Sequence, residues 1–121
     1  MNVAASQGMV AWSRLGQDKR YRLVLYRSGT ARDLPIAESG RPYRASFGPG
    51  PDDKLNLVYA RDLGLWRYDL TTSVESRISI TGNRDIQMAA IHGDRVAYAD
   101  SAPLRARDRS GRVLFTRRIG R

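Results

Sequence analysis

The sequence contains no cysteine, which excludes a disulfide framework and any thiolate metal site. Its one histidine, His92, has no second imidazole with which to share a metal ion. No run approaches the ~18 consecutive apolar residues of a membrane-spanning helix. The opening residues 1–12 lack the basic n-region and the continuous apolar stretch of a signal peptide, so the expectation is a soluble chain without an export signal. No stretch of ten or more residues carries helical periodicity. Neither G-x-S-x-G nor G-x-x-x-x-G-K-[ST] occurs, which removes a nucleophile elbow and a phosphate loop.

What is present is a threefold echo. A short apolar strand, a turn, a second strand and a polar hairpin recur at roughly 40-residue spacing. The strand appears as VAWSR from Val10, LVYAR from Leu57 and VAYAD from Val96. Tyr26 and Tyr68 take the same place in consecutive units, and Arg107 follows near the next step. Units are expected over residues 8–37, 42–81 and 85–119 of a single domain. The period suits β-propeller blades, small antiparallel sheets that cannot bury both faces alone. A chain of 121 residues can bury a core of its own.

In the first unit, Met9 to Ser13 and Tyr21 to Arg27 read as strands around a turn at Gly16 to Lys19. Leu23, Val24 and Leu25 are consecutive apolar residues between polar ends, which predicts a strand covered on both faces. A turn at Ser28-Gly29-Thr30 leads to a short strand through Leu34 and Ile36, which Pro35 confines to an edge. The second unit predicts strands over Tyr43 to Phe47, Leu55 to Ala60, Leu65 to Leu70 and Val74 to Ile80, with the strongest turn signal at Gly48 to Asp53. The third predicts Ile86 to Ile91, a tight turn at His92-Gly93-Asp94, Arg95 to Ala99, and a last hairpin of Leu104 to Arg109 and Arg112 to Arg117. The expected class is all-β, in antiparallel four-stranded blade-like sheets of a partial β-propeller.

The second unit carries a family resemblance. Phe47 to Tyr59 resembles the repeat of TolB-type, WD-like β-propellers, in which an aromatic, a Pro-Asp-Gly-Lys turn and an apolar return strand follow one another. Asp53 stands where that motif prefers Gly. Leu65 to Glu75 is similar to the family's following hairpin, with Ser73 in place of its turn Gly. The resemblance implies a ring of blades around a channel, usually in secreted or periplasmic proteins that bind other proteins, and sometimes in hydrolases. A closed ring takes ~4–8 blades, and this chain supplies between two and three. It is therefore expected as part of a longer product, as a homo-oligomer that completes a ring, or as strands folded back into a two-layer sandwich.

The net charge of +9 comes from 21 basic and 12 acidic residues, and all the basic ones except Lys19 and Lys54 are arginine. Arginine forks suit phosphate and carboxylate, but these arginines are spread over every segment, as a codon bias would also spread them. Arg105, Arg107 and Arg109 alternate along one stretch, so in a strand they would share a face about 6.5–7 Å apart. With Arg112 they are the candidate partner-binding residues, for an acidic protein or a nucleic-acid backbone. The alternative is a solvated strand whose like charges protect its edge. His92 lies in an apparent turn, and Asp52 and Asp53 match no calcium loop, so catalytic, cofactor and metal sites are not expected. Trp12, Tyr21, Tyr26, Trp66, Tyr68 and Tyr98 recur at matching places, which predicts packing between sheets. The chain reads as a non-enzymatic protein-interaction scaffold that recognises its partner with loops at one end, around Gly16 to Arg20, Gly48 to Lys54 and His92 to Arg95. The alternatives are a small basic domain that binds nucleic acid or another polyanion, or the propeller arm of a larger hydrolase.

Overall fold

Eleven strands and no helix make up residues 3–80, 85–101 and 112–119, the part of the chain that the computed structural model describes. The first sheet holds β1 (Val3–Ser6), β2 (Met9–Leu15), β3 (Tyr21–Arg27) and β4 (Thr30–Asp33). The second holds β5 (Ser46–Pro49), β6 (Leu55–Arg61), β7 (Gly64–Asp69) and β8 (Val74–Ile78), and the third β9 (Ile86–His92), β10 (Arg95–Ser101) and β11 (Arg112–Arg118). Every strand pairs antiparallel with its neighbours in sequence. The chain is all-β, three blade-like sheets in an arrangement that does not close. Among the described residues the third sheet has three strands, where four were expected. The strand expected at Leu104 to Arg109 lies outside the described residues.

Local chemistry sets the hairpins. Ser28 and Gly29 both have positive φ, 53° and 82°, as a two-residue hairpin turn requires, and this fixes Arg27 opposite Thr30. β4 therefore begins at once, at Thr30 rather than near Leu34. Leu34 turns its side chain into the core while its N–H still donates to Leu23 O at 2.9 Å, and the strand stops ahead of Pro35. Asp53 and Ser73, which stand where a glycine was expected, keep the left-handed backbone at φ 64° and 59°. Asp52 Oδ1 accepts from the Lys54 N–H at 3.1 Å, and Asp69 Oδ1 accepts from the Thr71 N–H at 2.8 Å.

Alternation on each sheet's second strand decides which faces meet. Ala11 faces the second sheet with Leu23 and Leu25 of β3, and that sheet answers with Leu57, Tyr59 and Tyr68. The opposite face of the second sheet, with Val58, Leu65 and Ile78, meets Ala89, Ile91, Val96 and Tyr98 of the third. Leu57, Val58, Tyr59 and Leu65 are wholly buried, because the middle sheet alone is covered on both sides. β1, β5 and β9 lie beside one another on one side of the stack. Ser46 Oγ donates to Ala89 O at 2.7 Å, and the Gly93 N–H donates to Pro49 O at 2.8 Å. A side chain at Gly48 would put its Cβ 2.1 Å from Ile91 O, so β5 and β9 approach this closely only over a glycine. For that reason Gly48 and Pro49 belong to β5, and not to the turn the sequence suggested.

The strand expected from Tyr43 begins instead at Ser46. Tyr43 is spent as a wedge: its N–H donates to Ser13 Oγ at 2.9 Å, and its hydroxyl donates to Ala37 O at 2.5 Å. Arg61 of the second sheet donates to the same hydroxyl at 3.4 Å, so the connection between the first two sheets is fixed to both. Among the described residues two faces remain open. Val3, Trp12 and Tyr26 lie on the outer face of the first sheet, so the expectation that all the aromatics pack between sheets fails at Trp12 and Tyr26. On the third sheet the open face carries Met88, Ala90 and Ala97.

Candidate functional site

Exposed arginines on the β3–β4 hairpin line a concave surface. On β3, residues 23, 25 and 27 point toward the second sheet, and Arg32 sits opposite Leu25 on β4. Arg27 and Arg32 are therefore diagonal neighbours on one face, on the order of 7–8 Å apart at the backbone. They line a groove of about 300 Å³ whose other walls are Leu25, Leu34, Tyr68 and Ser73, and an adjoining depression of about 240 Å³ adds Ser28 and Thr30. Among the described residues neither guanidinium has a hydrogen-bond or ion-pair partner. Asp33 also lines the groove, but Arg14 Nη2 donates to its carboxylate at 2.7 Å.

Four other arginines are engaged with acceptors. Arg22 makes two hydrogen bonds to the Asp18 carboxylate, at 2.7 and 2.8 Å, and these hold Asp18 well below the usual carboxylate range. Arg118 does the same for Asp94 at 2.8 Å. A second cavity, about 150 Å³ between the inter-sheet connection and the third sheet, is lined by Arg41 and Arg44, but Arg41 is paired with Asp85 and Arg44 donates to Gln87 Oε1 at 2.9 Å. It offers no free donor of the kind the groove has.

A buried polar cluster lies on the face of the second sheet that meets the first. Arg61, 7% exposed, forks onto Glu75 with contacts of 2.7 and 2.9 Å, and the Tyr59 hydroxyl donates to Glu75 Oε2 at 2.5 Å. The guanidinium lies 4.3 Å from the Trp66 ring centroid, and Tyr43 meets Tyr59 edge-on at 5.4 Å. Burial alone would raise the Glu75 carboxyl, yet the hydrogen bonds from Arg61 and Tyr59 outweigh it and leave Glu75 below its ordinary value. Burial and then the Glu75 carboxylate raise the Tyr59 hydroxyl, and the hydrogen bond to Glu75 raises Arg61. Arg61, Glu75 and the Tyr59 hydroxyl satisfy one another, while the buried Trp66 Nε1 has no hydrogen-bond partner among the described residues, so the cluster locks the interface and presents no free charged group to a substrate. Alternation places Arg61 on the face of Leu57 and Tyr59, but Glu75 joins them only through the β7–β8 register.

Arg105, Arg107 and Arg109 lie outside the described residues, and Arg112 begins β11 opposite Ser101. His92 is exposed at the end of β9, opposite Arg95. No group of three or more His, Asp or Glu able to hold a metal ion occurs among the described residues, and none of their helices could cross a membrane. The three loops expected at one end divide. Gly48 to Lys54 and His92 to Arg95 share an end, linked by the Gly93–Pro49 hydrogen bond. Gly16 to Arg20 joins the second and third strands of its sheet, and so lies at the opposite end from the β3–β4 turn, which meets Tyr68 and Ser73 across the groove. No protein-family model, curated protein or solved structure matches this chain.

Proposed function

We propose that the chain is a non-enzymatic interaction scaffold, a partial propeller of the TolB-type, WD-like kind, that docks an acidic protein surface in the groove of Arg27 and Arg32. The observation that carries the reading is that, among the described residues, these two guanidinium groups on one hairpin have no partner, over an apolar floor of Leu25, Leu34 and Tyr68. Arginine forks bind carboxylates through two parallel hydrogen bonds, and the apolar floor suits a side chain next to the acid. Each charge-assisted hydrogen bond contributes roughly 1.5–3 kcal/mol, so Arg27→Ser with Arg32→Ser should weaken capture of an immobilised Asp/Glu-rich peptide by at least about tenfold. Capture unchanged by the pair, with the same circular dichroism spectrum, would remove the groove from the account. Ser in place of Arg105, Arg107 and Arg109 in the same assay separates that stripe from the groove.

The second reading, a domain that binds nucleic acid or another polyanion, is favoured by the net charge of +9. A salt titration discriminates the two. Binding to generic DNA that falls steeply and linearly on logarithmic axes, and is stronger than binding to the acidic peptide, supports the polyanion.

A further inference from the structure

The three repeats place unlike faces at the two open ends of the stack. In each second strand, alternate positions carry large and small side chains: Val10 and Trp12 against Ala11 and Ser13, Leu57 and Tyr59 against Val58 and Ala60, Val96 and Tyr98 against Ala97 and Ala99. Within the chain the face bearing the aromatic always meets the small-residue face of the preceding sheet. Tyr59 shares a core with Ala11, and Tyr98 shares one with Val58 and Ala60. Among the described residues the rule leaves the Trp12 face of the first sheet and the Ala97 face of the third without a partner.

We propose that two copies of this chain close head to tail, the Trp12 face of each covering the Ala97 face of the other, to form a ring of six sheets. Continuity with the two existing interfaces argues for this occupant, since a copy placed by the same step presents the required face. The Trp12 face carries Val3, Val10, Val24 and Tyr26 beside an Arg14–Asp33 pair, as the Tyr59 face of the next sheet carries Leu57 and Tyr68 beside Arg61–Glu75, yet Val3 is 54% and Tyr26 39% exposed, where Tyr68, at Tyr26's place in the next sheet, is 4% exposed. Opposite, Met88 is 54% exposed, and a depression of about 160 Å³ lined by Ala90, His92, Arg95 and Ala97 can receive a ring. Unlike faces make a heterologous contact, which ends only in a closed ring or an open filament. Rings of such sheets hold ~4–8 members, and six is the one multiple of three in that range. The proposal uses neither Arg27 nor Arg32, so it stands apart from the acidic-partner reading.

Light scattering on a sizing column should give twice the 13.6 kDa of the chain, with β circular dichroism on the same peak. Because the chain has no cysteine, Val10→Cys and Ala97→Cys report the orientation through a short bismaleimide that spans the ~10 Å between packed sheets. The double variant should cross-link to a covalent dimer, and an equimolar mixture of the single variants should too. Each single variant alone should remain uncross-linked. A folded monomer at micromolar concentration, a polydisperse species, or a dimer in which a single variant cross-links to itself would each overturn the proposal.

Discussion

Among the described residues Glu75 is the one carboxylate that holds a buried guanidinium, and its removal separates pairing from packing. Glu75→Leu would strip Arg61 of both fork contacts and Tyr59 of its acceptor, and leave a charge in a site where Arg61 is 7% exposed. Breaking a buried pair from one side costs about 3–5 kcal/mol. With a urea dependence of ~1–3 kcal/mol per molar, the midpoint should fall by about 2 M. Arg61→Met added to Glu75→Leu removes the stranded charge and should recover most of the loss, so the double-mutant cycle gives a coupling of opposite sign to the single losses. Acid adds an independent check. A carboxyl depressed on folding contributes stability that is full above its unfolded value near ~4.3 and is lost as pH falls through the lower folded value. Below about pH 4.3 the wild type should therefore lose stability faster than the double variant. The assay is urea unfolding followed by circular dichroism at several pH values. A Glu75→Leu midpoint within about 0.3 M of wild type at pH 7 would show that the cluster does not lock the interface.

Gly48→Ala should destabilise the fold by at least about 1–3 kcal/mol, since the new methyl would meet Ile91 O and neither backbone can yield without disturbing β5 or β9; thermal unfolding of the variant measures it, and an unchanged midpoint would contradict the close approach. Tyr43→Phe removes the hydroxyl that donates to Ala37 O and accepts from Arg61 Nη1, and should cost about 1–2 kcal/mol by the same method. A neutral Tyr43→Phe would mean that the connection between the first two sheets is held by the ring alone.

The repeat was legible because strands buried on both faces write themselves as short apolar runs, and β3 matches its expected Tyr21 to Arg27 span. Edge strands do not. β1 is four small or half-exposed residues, and only its register against β2, with Val3 opposite Trp12, makes it a strand. β4 escaped because the sequence shows Leu34 and Ile36 as apolar alternation, whereas the tight turn starts the strand at Thr30 and Pro35 stops it just after Leu34 has donated to Leu23 O. The groove was hidden for a related reason: Arg27 and Arg32 are five apart in sequence, and they become neighbours only once Ser28 and Gly29 take positive φ. Against a background of 19 arginines nothing in composition distinguishes them.

Because each strand pairs only with its neighbours in sequence, and each sheet touches only the next, the molecule is nearly one-dimensional in its energetics. Stability then reads as a sum of three local hairpin stacks and two junctions. No distant segment has to return before the first sheet can form, which keeps the loop-closure entropy of folding small. The same economy leaves the ends of the series less protected than the middle. In a single copy, before any second copy covers its outer faces, opening should begin at the first or third sheet and reach Leu57, Val58 and Tyr59 last, since within one chain the middle sheet alone has a junction on either side.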